Sequence, residues 1–375
     1  MANKGKYLQS NRNNVFLWKR IPLILIASVL LIVCIAFAAG AMYYHNILGY
    51  IQRAERQEQD LSDGELEAIL GFVPETIPPM ETVRGDETVP SVDGSDHAEE
   101  DPIVNIMLVG QQMREYEDAK LSDTMILCTV NKRTKTLTLT SFLRDMYVQL
   151  PNYRNHICGM QRINVAYNLG WRWAGDLGGM EMLDLLILNN FGVEVDYNVE
   201  IDFGSFVQII DHLGGVTVEL SQDEANYINR IYQMNKVQPG SNTLPGDVAL
   251  EYVRIRKANG SDSDIHRTAR QRNFVIQILK QIRSMKITEL DKLIKEILPM
   301  VLTDMEDSDM TKLMVELLPL LPELKIESNQ CPAEGTYYGD WVQIGGMDAA
   351  VLKCDVEVNR ELLMAICEPG KDPSE

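Results

Sequence analysis

The longest uninterrupted apolar stretch of the chain lies near its N-terminus. No charged residue occurs between Ile21 and Tyr43, and an apolar stretch of that length crosses a bilayer as one helix. Every charged residue before it is a lysine or an arginine. This asymmetry predicts a cytoplasmic tail over 1–20, a transmembrane helix over 21–44 and an extracellular remainder. A cleaved signal peptide is the alternative, although the stretch is long and begins late for one.

A stalk and an acidic linker are predicted to follow, over 45–101. Leu66, Ile69 and Leu70 give a weak amphipathic pattern in the stalk, at helical spacing. Beyond Met80 the segment has eight acidic residues against Arg84 alone, together with several prolines and glycines. Such a composition cannot bury a core, which favours a solvated, flexible connection.

Short apolar strands alternate with amphipathic helices from Ile103 onwards. Strands are predicted at 103–109, 124–130, 136–140, 196–201 and 216–220. Helices are predicted at 161–169, 180–190, 203–212, 222–234, 246–253, 267–284, 288–303 and 309–320. The alternation indicates an α/β layered domain over 102–285. The last segment, 286–375, is predicted to be a helical appendage followed by a Gly- and Tyr-rich tail.

The formal net charge of −19 excludes a general nucleic-acid binder, which needs an electropositive surface. Six cysteines form no pattern typical of a zinc site. Cys331 and Cys354 flank a Gly-rich tail segment in the predicted extracellular part. Because disulfides persist in oxidising surroundings, their positions predict that these two are joined, with Cys128 and Cys158 free.

Against this acidic background, arginines concentrate in two short stretches, Ser141 to Asp145 and Tyr252 to Gln271. In the first, Arg144 and Asp145 follow an apolar strand, and strand ends in α/β folds are where ligand sites gather. Arg254 and Arg256 alternate with apolar residues and would project from one face of an extended segment. Asp264 is a predicted helix N-cap, and Arg267, Arg270 and Gln271 then share one helix face. Clustered guanidinium groups suit a phosphate or pyrophosphate ligand. A solvated basic face is the alternative interpretation.

Seven ordered blocks over about 103–285 resemble the LytR–CpsA–Psr family. They are Asn105 to Gly110, Ser122-Asp123-Thr124-Met125, Ser141-x-x-Arg144-Asp145, Arg162-Ile163-Asn164-x-Ala166-Tyr167, Asp211-x-x-Gly214-Gly215-Val216, Ala249-Leu250-x-Tyr252-x-Arg254-x-Arg256 and Arg267-x-x-Arg270-Gln271. The predicted anchor with an outer domain also resembles the layout of that family.

The resemblance implies an α/β/α sandwich with a mixed central sheet and an apolar polyprenyl pocket. It implies a phosphotransferase that moves a glycopolymer, such as wall teichoic acid or a capsule precursor, from undecaprenyl pyrophosphate to a peptidoglycan sugar hydroxyl. Asp123, Arg144 and Arg256 would be catalytic. Mg2+ (or Mn2+) would bind Asp123 and Gln112. The substrate would contact Arg144, Asp145, Arg254, Arg256, Asp264, Arg267, Arg270 and Gln271.

Two positions depart from the family pattern. Gln112 stands where the family usually has an aspartate, and Leu121 where it usually has an arginine. Gln112 would still offer a carbonyl oxygen, and Lys120 or Arg114 would be within reach of the lost positive position. The departures keep two other functions open: a scaffold that holds polyprenyl-linked precursors, and a polyprenyl pyrophosphatase.

Overall fold

The computed structural model describes residues 48–70, 102–114, 119–153, 156–256 and 264–369. The predicted tail, the predicted transmembrane helix and most of the predicted linker lie outside these residues. None of the helices in the described ranges is long and apolar enough to span a membrane. The Cα positions divide the chain into two units, 1–50 and 51–375, and the account below concerns the second.

A seven-stranded mixed sheet forms the centre, in the order β1-β10-β7-β2-β3-β4-β11. Neighbours β2, β3 and β4 are antiparallel, whereas β7 runs parallel to β2 and β11 runs parallel to β4. The sheet strands are β1 (Gln52–Arg53), β2 (Ile103–Arg114), β3 (Ala119–Asn131), β4 (Thr136–Phe142), β7 (Tyr197–Asp202), β10 (Leu302–Thr303) and β11 (Lys325–Cys331). The predicted strands 124–130 and 136–140 are confirmed as β3 and β4, which pair as an antiparallel hairpin. The mixed α/β class is confirmed as well.

Three two-stranded sheets accompany it. They pair β5 (Tyr147–Gln149) with β6 (Met160–Arg162), β8 (Val216–Leu220) with β9 (Gly240–Leu244), and β12 (Tyr337–Ile344) with β13 (Met347–Cys354). The helices are α1 (Asp63–Leu70), α2 (Val165–Phe191), α3 (Phe203–His212), α4 (Gln222–Tyr232), α5 (Gly246–Arg254), α6 (Asp264–Ser284), α7 (Ile287–Ile297), α8 (Asp307–Leu317) and α9 (Val356–Cys367).

Helices cover both faces of the sheet. Met107 and Leu127 face one side and join a core with residues of α1, α2 and α9. Ile126 and Leu139 face the other side, where α6 and the end of α8 pack. Successive strand residues point to opposite faces, so strands buried on both sides read as nearly continuous apolar runs.

Two predicted helices are confirmed as the two parts of α2. The predicted segments 161–169 and 180–190 belong largely to α2, whose two helical parts are separated by non-helical backbone at Ala174 and Gly175. Gly175 has φ of 69° there, a backbone conformation that glycine adopts without steric cost. The helix is therefore interrupted between the two predicted segments.

The segment after Lys286 differs from the predicted helical appendage. It contributes β10 and β11 to the central sheet and also forms the β12–β13 hairpin. β11 has the sequence KIESNQC, and most of its residues are exposed or half-buried. As an edge strand it carries little apolar signal, which explains why the pattern did not predict it. The predicted domain boundary at residue 285 stays a prediction.

The predicted disulfide between Cys331 and Cys354 is wrong, since both thiols are free in the structure. Cys128 and Cys158 are free, as predicted. Cys331 ends β11 inside the core, and burial raises the pKa of its thiol well above the ordinary value. The pairing rested on sequence position alone, which does not fix the relative directions of two side chains.

Candidate functional site

An apolar cavity of about 490 Å³ lies between the sheet and helices α3 to α6. Strands β2, β3 and β7 supply one wall. The helices supply the other, with Phe206 and Ile210 from α3 and Phe274 and Ile278 from α6. The lining is predominantly apolar, and the volume is within the range of small-molecule sites.

The sheet wall of this cavity depends on Gly110. A Cβ atom built there would lie 2.9 Å from Cβ of Thr124 on the neighbouring strand, closer than real side chains approach. A β-bulge follows directly, between Gly110 and Gln111. Bulges bend strands and redirect side chains, and the bulge lies across from the part of β3 that carries Asp123.

Charged and polar side chains gather where α5 and α6 meet the cavity. Arg254, Arg256, Arg267 and Gln271 all line it, together with Asp123 from β3. Arg267 and Gln271 are buried and lie four residues apart on α6, so they share one helix face. The structure therefore brings together five of the residues that the sequence analysis selected.

Arg254 is not in an extended segment, which corrects one prediction. It is the last residue of α5, and the chain becomes non-helical only at Ile255. Its Nη1 lies 3.3 Å from Oε1 of Glu251, and its guanidinium carbon lies 5.1 Å from the ring centroid of Phe203. Arg256, two residues further along, is exposed and lines the cavity mouth.

Arg144 links Asp123 to the turn after β4. Its Nη1 donates to Oδ1 of Asp123 at 2.6 Å, and its Nε lies 3.6 Å from Oδ2 of Asp145. Asp145 is also 3.8 Å from Nη1 of Arg162. The charges therefore alternate along this group, and all four side chains are partly buried. The group consists of Asp123, Arg144, Asp145 and Arg162. Arg144 and Asp145 come after a strand that ends at Phe142, so this site begins at a strand end, as predicted.

Arg270 has a structural role that differs from that of the cavity arginines. It is buried, with Nε donating to Oε1 of Glu224 and Nη1 to the carbonyl oxygen of Ile255, both at 2.6 Å. It does not belong to the cavity lining. These contacts join α4, the end of α5 and α6. Arg270 therefore fixes the backbone from which Arg254 and Arg256 project.

Lys120 does not supply the positive charge that Leu121 lacks. Its Nζ lies 2.5 Å from Asp176 and 3.3 Å from Glu200, and Glu200 also accepts from the hydroxyl of Tyr167. Burial lowers the pKa of Lys120, but the carboxylates of Glu200 and Asp176 outweigh burial and raise it. The ammonium group is thus committed to a buried ion pair on the α2 side of the sheet.

Gln112 and Asp264 are placed by their backbones alone. Gln112 pairs with Leu121 across β2 and β3, and α6 begins at Asp264; the side chains of both, and of Arg114, lie outside the described part of the structure. Among the described residues no group of three or more His, Cys, Asp or Glu side chains could hold a metal. Metal binding by Asp123 and Gln112 stays a prediction.

Sequence reasoning missed Glu251 and Phe203, which hold Arg254 in place. The spacing Glu251-x-x-Arg254 places the two side chains on one helix face and was a usable signal. No local signal links Phe203 to Arg254, because the contact joins the start of α3 to the end of α5. The family resemblance implied an apolar pocket, but the residue pattern did not locate it, since its lining reads as ordinary core.

Comparison with known proteins adds the following. Residues 78–353 match the model of the LytR_cpsA_psr family. The chain is 30% identical over 227 residues to biofilm regulatory protein A of Streptococcus mutans, covering 57% of this chain and 52% of that protein. It is 30% identical over 210 residues to the polyisoprenyl-teichoic acid–peptidoglycan teichoic acid transferase TagT of Bacillus subtilis, covering 54% and 59%. The matches thus span between half and three fifths of the length of these relatives.

Among solved structures, the fold is similar to that of the LytR-CPS2A-psr family protein YwtF (TagT) with bound octaprenyl pyrophosphate lipid. The TM-score is 0.51 at 23% identity, and the alignment covers 76% of this chain and 98% of the other. The family match extends beyond residue 285, the predicted end of the domain, and includes β11 and most of the β12–β13 hairpin.

Proposed function

The chain belongs to the LytR–CpsA–Psr family, and on that premise we propose that it is a membrane-anchored, extracellular phosphotransferase. It moves a glycopolymer phosphate from undecaprenyl pyrophosphate to a sugar hydroxyl of peptidoglycan. One observation carries the proposal. The lining of one predominantly apolar cavity also includes three arginines, a glutamine, Asp123 and Glu251.

The cavity takes the polyprenyl chain. Its two walls carry branched and aromatic side chains from β2, β3, β7, α3 and α6, and apolar surface removed from water stabilises such a complex by roughly 25 cal/mol per Å². A TagT structure with a bound octaprenyl pyrophosphate lipid shares the fold. That likeness supports the assignment of the cavity.

The pyrophosphate binds at the mouth. Arg254, Arg256 and Arg267 present guanidinium groups there, and each fork donates two parallel hydrogen bonds to phosphate oxygens. Gln271 adds a neutral donor. Arg144, already bonded to Asp123 at 2.6 Å, lies between this mouth and the turn at Asp145. Charge neutralisation and positioning are the main demands of phosphoryl transfer.

The transfer step conserves atoms and charge. The acceptor hydroxyl oxygen forms a bond to the phosphorus that carries the glycopolymer, and the bond from that phosphorus to the bridging oxygen breaks. Undecaprenyl phosphate leaves with the electron pair. Asp123, the cavity carboxylate paired with Arg144, orients the hydroxyl and accepts its proton, while the arginines stabilise the charge that develops on the phosphate oxygens.

A divalent cation fits this donor set. Asp123 uses Oδ1 for Arg144, and Oδ2 has one role at a time. It accepts the acceptor proton, or it ligates Mg2+, which commonly takes one or two protein carboxylates with water and phosphate oxygens, and the acceptor proton then goes to solvent. Asp123 would hold Mg2+ (or Mn2+), with Gln112 as a further oxygen ligand. The ion, when bound, neutralises negative charge on the pyrophosphate. Gln112 stands where the family usually has an aspartate, so we expect this ion to bind more weakly than it would with two carboxylate ligands.

A scaffold that binds lipid-linked precursors without transfer is the second candidate. The ion pairs of Lys120 with Asp176 and Glu200 favour this function. Because of them, Lys120 does not replace the arginine that the family usually has at the position of Leu121. The arginines at the mouth are enough for binding. Binding and transfer must therefore be measured separately.

The test uses purified full-length protein, an undecaprenyl-pyrophosphate-linked teichoic acid precursor and peptidoglycan oligosaccharides, with Mg2+ added or removed. The expected products are a glycopolymer–peptidoglycan phosphodiester and undecaprenyl phosphate in equal amounts. Asp123→Asn should lower turnover by roughly 100-fold, as for a lost general base, and keep lipid binding. Binding without product assigns the scaffold function. Lipid phosphate release without an acceptor assigns the pyrophosphatase.

A further inference from the structure

A second depression, the hairpin groove, lies beside the catalytic turn and outside the lipid cavity. Tyr147, Met160, Tyr337, Tyr338, Lys353 and Val358 line it, and its volume is about 700 Å³. It is formed where β5 and β6 meet the base of the β12–β13 hairpin and the start of α9. None of the family blocks in the sequence lies in the hairpin.

We propose that the hairpin groove binds the glycan chain of the peptidoglycan acceptor. This inference rests on the function proposed above and adds to it a site for the second substrate. The occupant is a neutral or weakly charged oligosaccharide of N-acetylated sugars. Its reacting hydroxyl would extend from the groove toward Asp123.

The chemistry of the groove suits a sugar. Tyr338 is 62% exposed and Met160 is 41% exposed, so apolar surface is available without rearrangement. Tyrosine offers a flat apolar ring face and a polar hydroxyl edge. A pyranose ring has the matching pattern, with C–H groups on its faces and hydroxyl groups at its rim. Thr336 and Asp355 add polar groups to the same lining.

Lys353 is not a strong anion-binding site, because its ammonium group is already paired with a carboxylate. It lies opposite Tyr338 across the hairpin, and its Nζ lies 2.8 Å from Oδ2 of Asp340. This ion pair holds the base of the hairpin in register and cancels the local charge. A neutral sugar therefore fits the groove better than a second phosphate does.

The groove connects directly to the catalytic turn. The backbone N–H of Leu352, in β13, donates to the carbonyl oxygen of Asp145 at 2.8 Å, and Met146 forms a bridge with Leu352. Tyr147 follows Asp145 by two residues, at most about 7 Å along the chain. Asp145 contacts Arg144, and Arg144 donates to Asp123. A glycan in the groove is thus placed next to the residues assigned to the acceptor hydroxyl.

The experiment measures binding of a tetrasaccharide of alternating N-acetylglucosamine and N-acetylmuramic acid to the full-length protein by calorimetry. Tyr338→Ala should weaken binding at least about fivefold, as for an aromatic anchor of an interface. Trp341→Ala is the matched control, since Trp341 is exposed on the same hairpin but lies outside the groove lining. It should leave binding unchanged.

Polyprenyl pyrophosphate binding is measured in parallel on the same variants. Tyr338→Ala should retain it, whereas Arg256→Ala should lose it and still bind the tetrasaccharide. Equal losses for Tyr338→Ala and Trp341→Ala, or hairpin-dependent binding to phospholipid vesicles in place of the sugar, would overturn the groove assignment. Absence of sugar binding with intact lipid binding overturns only the groove, and absence of both overturns the proposed function as well.

Discussion

The arginines of the two selected stretches separate into different roles once their contacts are considered. Arg270 is buried and fully engaged with Glu224 and Ile255, whereas Arg256 is exposed at the cavity mouth. Arg254 is intermediate, since Glu251 and Phe203 hold it at the end of α5. Arg270 therefore supports the backbone, whereas Arg254 and Arg256 are available to a ligand.

Arg256→Ala should weaken binding of a polyprenyl pyrophosphate by at least about tenfold, because a charge-assisted hydrogen bond contributes roughly 1.5–3 kcal/mol. Arg256→Lys should also lose affinity, since an ammonium group cannot reproduce the planar fork. Arg133, in the turn between β3 and β4, is the control, and Arg133→Ala should change little. Equal effects of Arg133→Ala and Arg256→Ala would mean that the cluster is only a solvated basic face.

Arg270→Ala should act on stability. The substitution removes one partner of the half-buried Glu224 carboxylate, which still accepts from Ser221, and the partner of the Ile255 carbonyl oxygen. Leaving such buried polar groups without a hydrogen bond costs about 1–3 kcal/mol. Chemical denaturation should show that loss in the free energy of unfolding, whereas Arg256→Ala should change it by less than about 0.5 kcal/mol. A stable Arg270→Ala protein that has lost lipid binding would instead place Arg270 at the ligand.

At the scale of elements, Asn198 of β7 ties α2 to the segment after β10. Its side-chain nitrogen donates to Asp184 and to Asp304, both at 2.8 Å, and its backbone nitrogen donates to Asp304 at 2.8 Å. Burial raises the pKa of Asp184 well above its ordinary value, and the nearby carboxylate of Asp304 raises it further. Burial also raises the pKa of Asp304.

These raised pKa values predict a pH dependence of stability. A carboxyl whose pKa is higher in the folded chain stabilises it most below the unfolded pKa of about 4, and this contribution is lost as the pH rises through the folded value. Asparagine does not ionise, so Asp184→Asn removes this pH-dependent loss of folding stability. Its denaturant midpoint should exceed that of the wild type at pH 7, and the difference should shrink toward pH 4. The exposed Asp223→Asn is the control and should follow the wild type throughout the titration.

The elements that the sequence predicted share one property, which is a strong local pattern. The β3–β4 hairpin and the helices α3, α4 and α5 have clear apolar periodicity, and the family blocks contain the cavity mouth. β10 and β11 were missed because their pairing with β7 and β4 is set by distant residues. Likewise, the contact from Arg144 to Asp123 joins the turn after β4 to β3, and the sequence separation of the two residues does not predict that they meet.

At the scale of the whole molecule, the proposed reaction requires the domain to be outside the cell. Lipid-linked wall precursors and peptidoglycan meet there. Gln52 and Arg53 already pair with β10, and Leu66 and Leu70 of α1 join the core, so the predicted acidic linker connects two elements of the same unit along the chain and does not separate that unit from the membrane. The basic residues before the apolar stretch, Lys4, Lys6, Arg12, Lys19 and Arg20, are expected to keep the N-terminus in the cytoplasm.

Protease added to intact wall-free cells should therefore digest the C-terminal part of the chain and spare the first twenty residues. Two terminal epitope tags report the two ends, and cells permeabilised with detergent provide the control in which both are digested. Protection of both tags on intact cells would contradict the predicted orientation. Loss of the N-terminal tag from the mature protein before protease is added would instead identify a cleaved signal peptide. Retention of that tag in the membrane fraction, with a digestible C-terminal tag, is the outcome that a catalytic domain tethered near its lipid substrate requires.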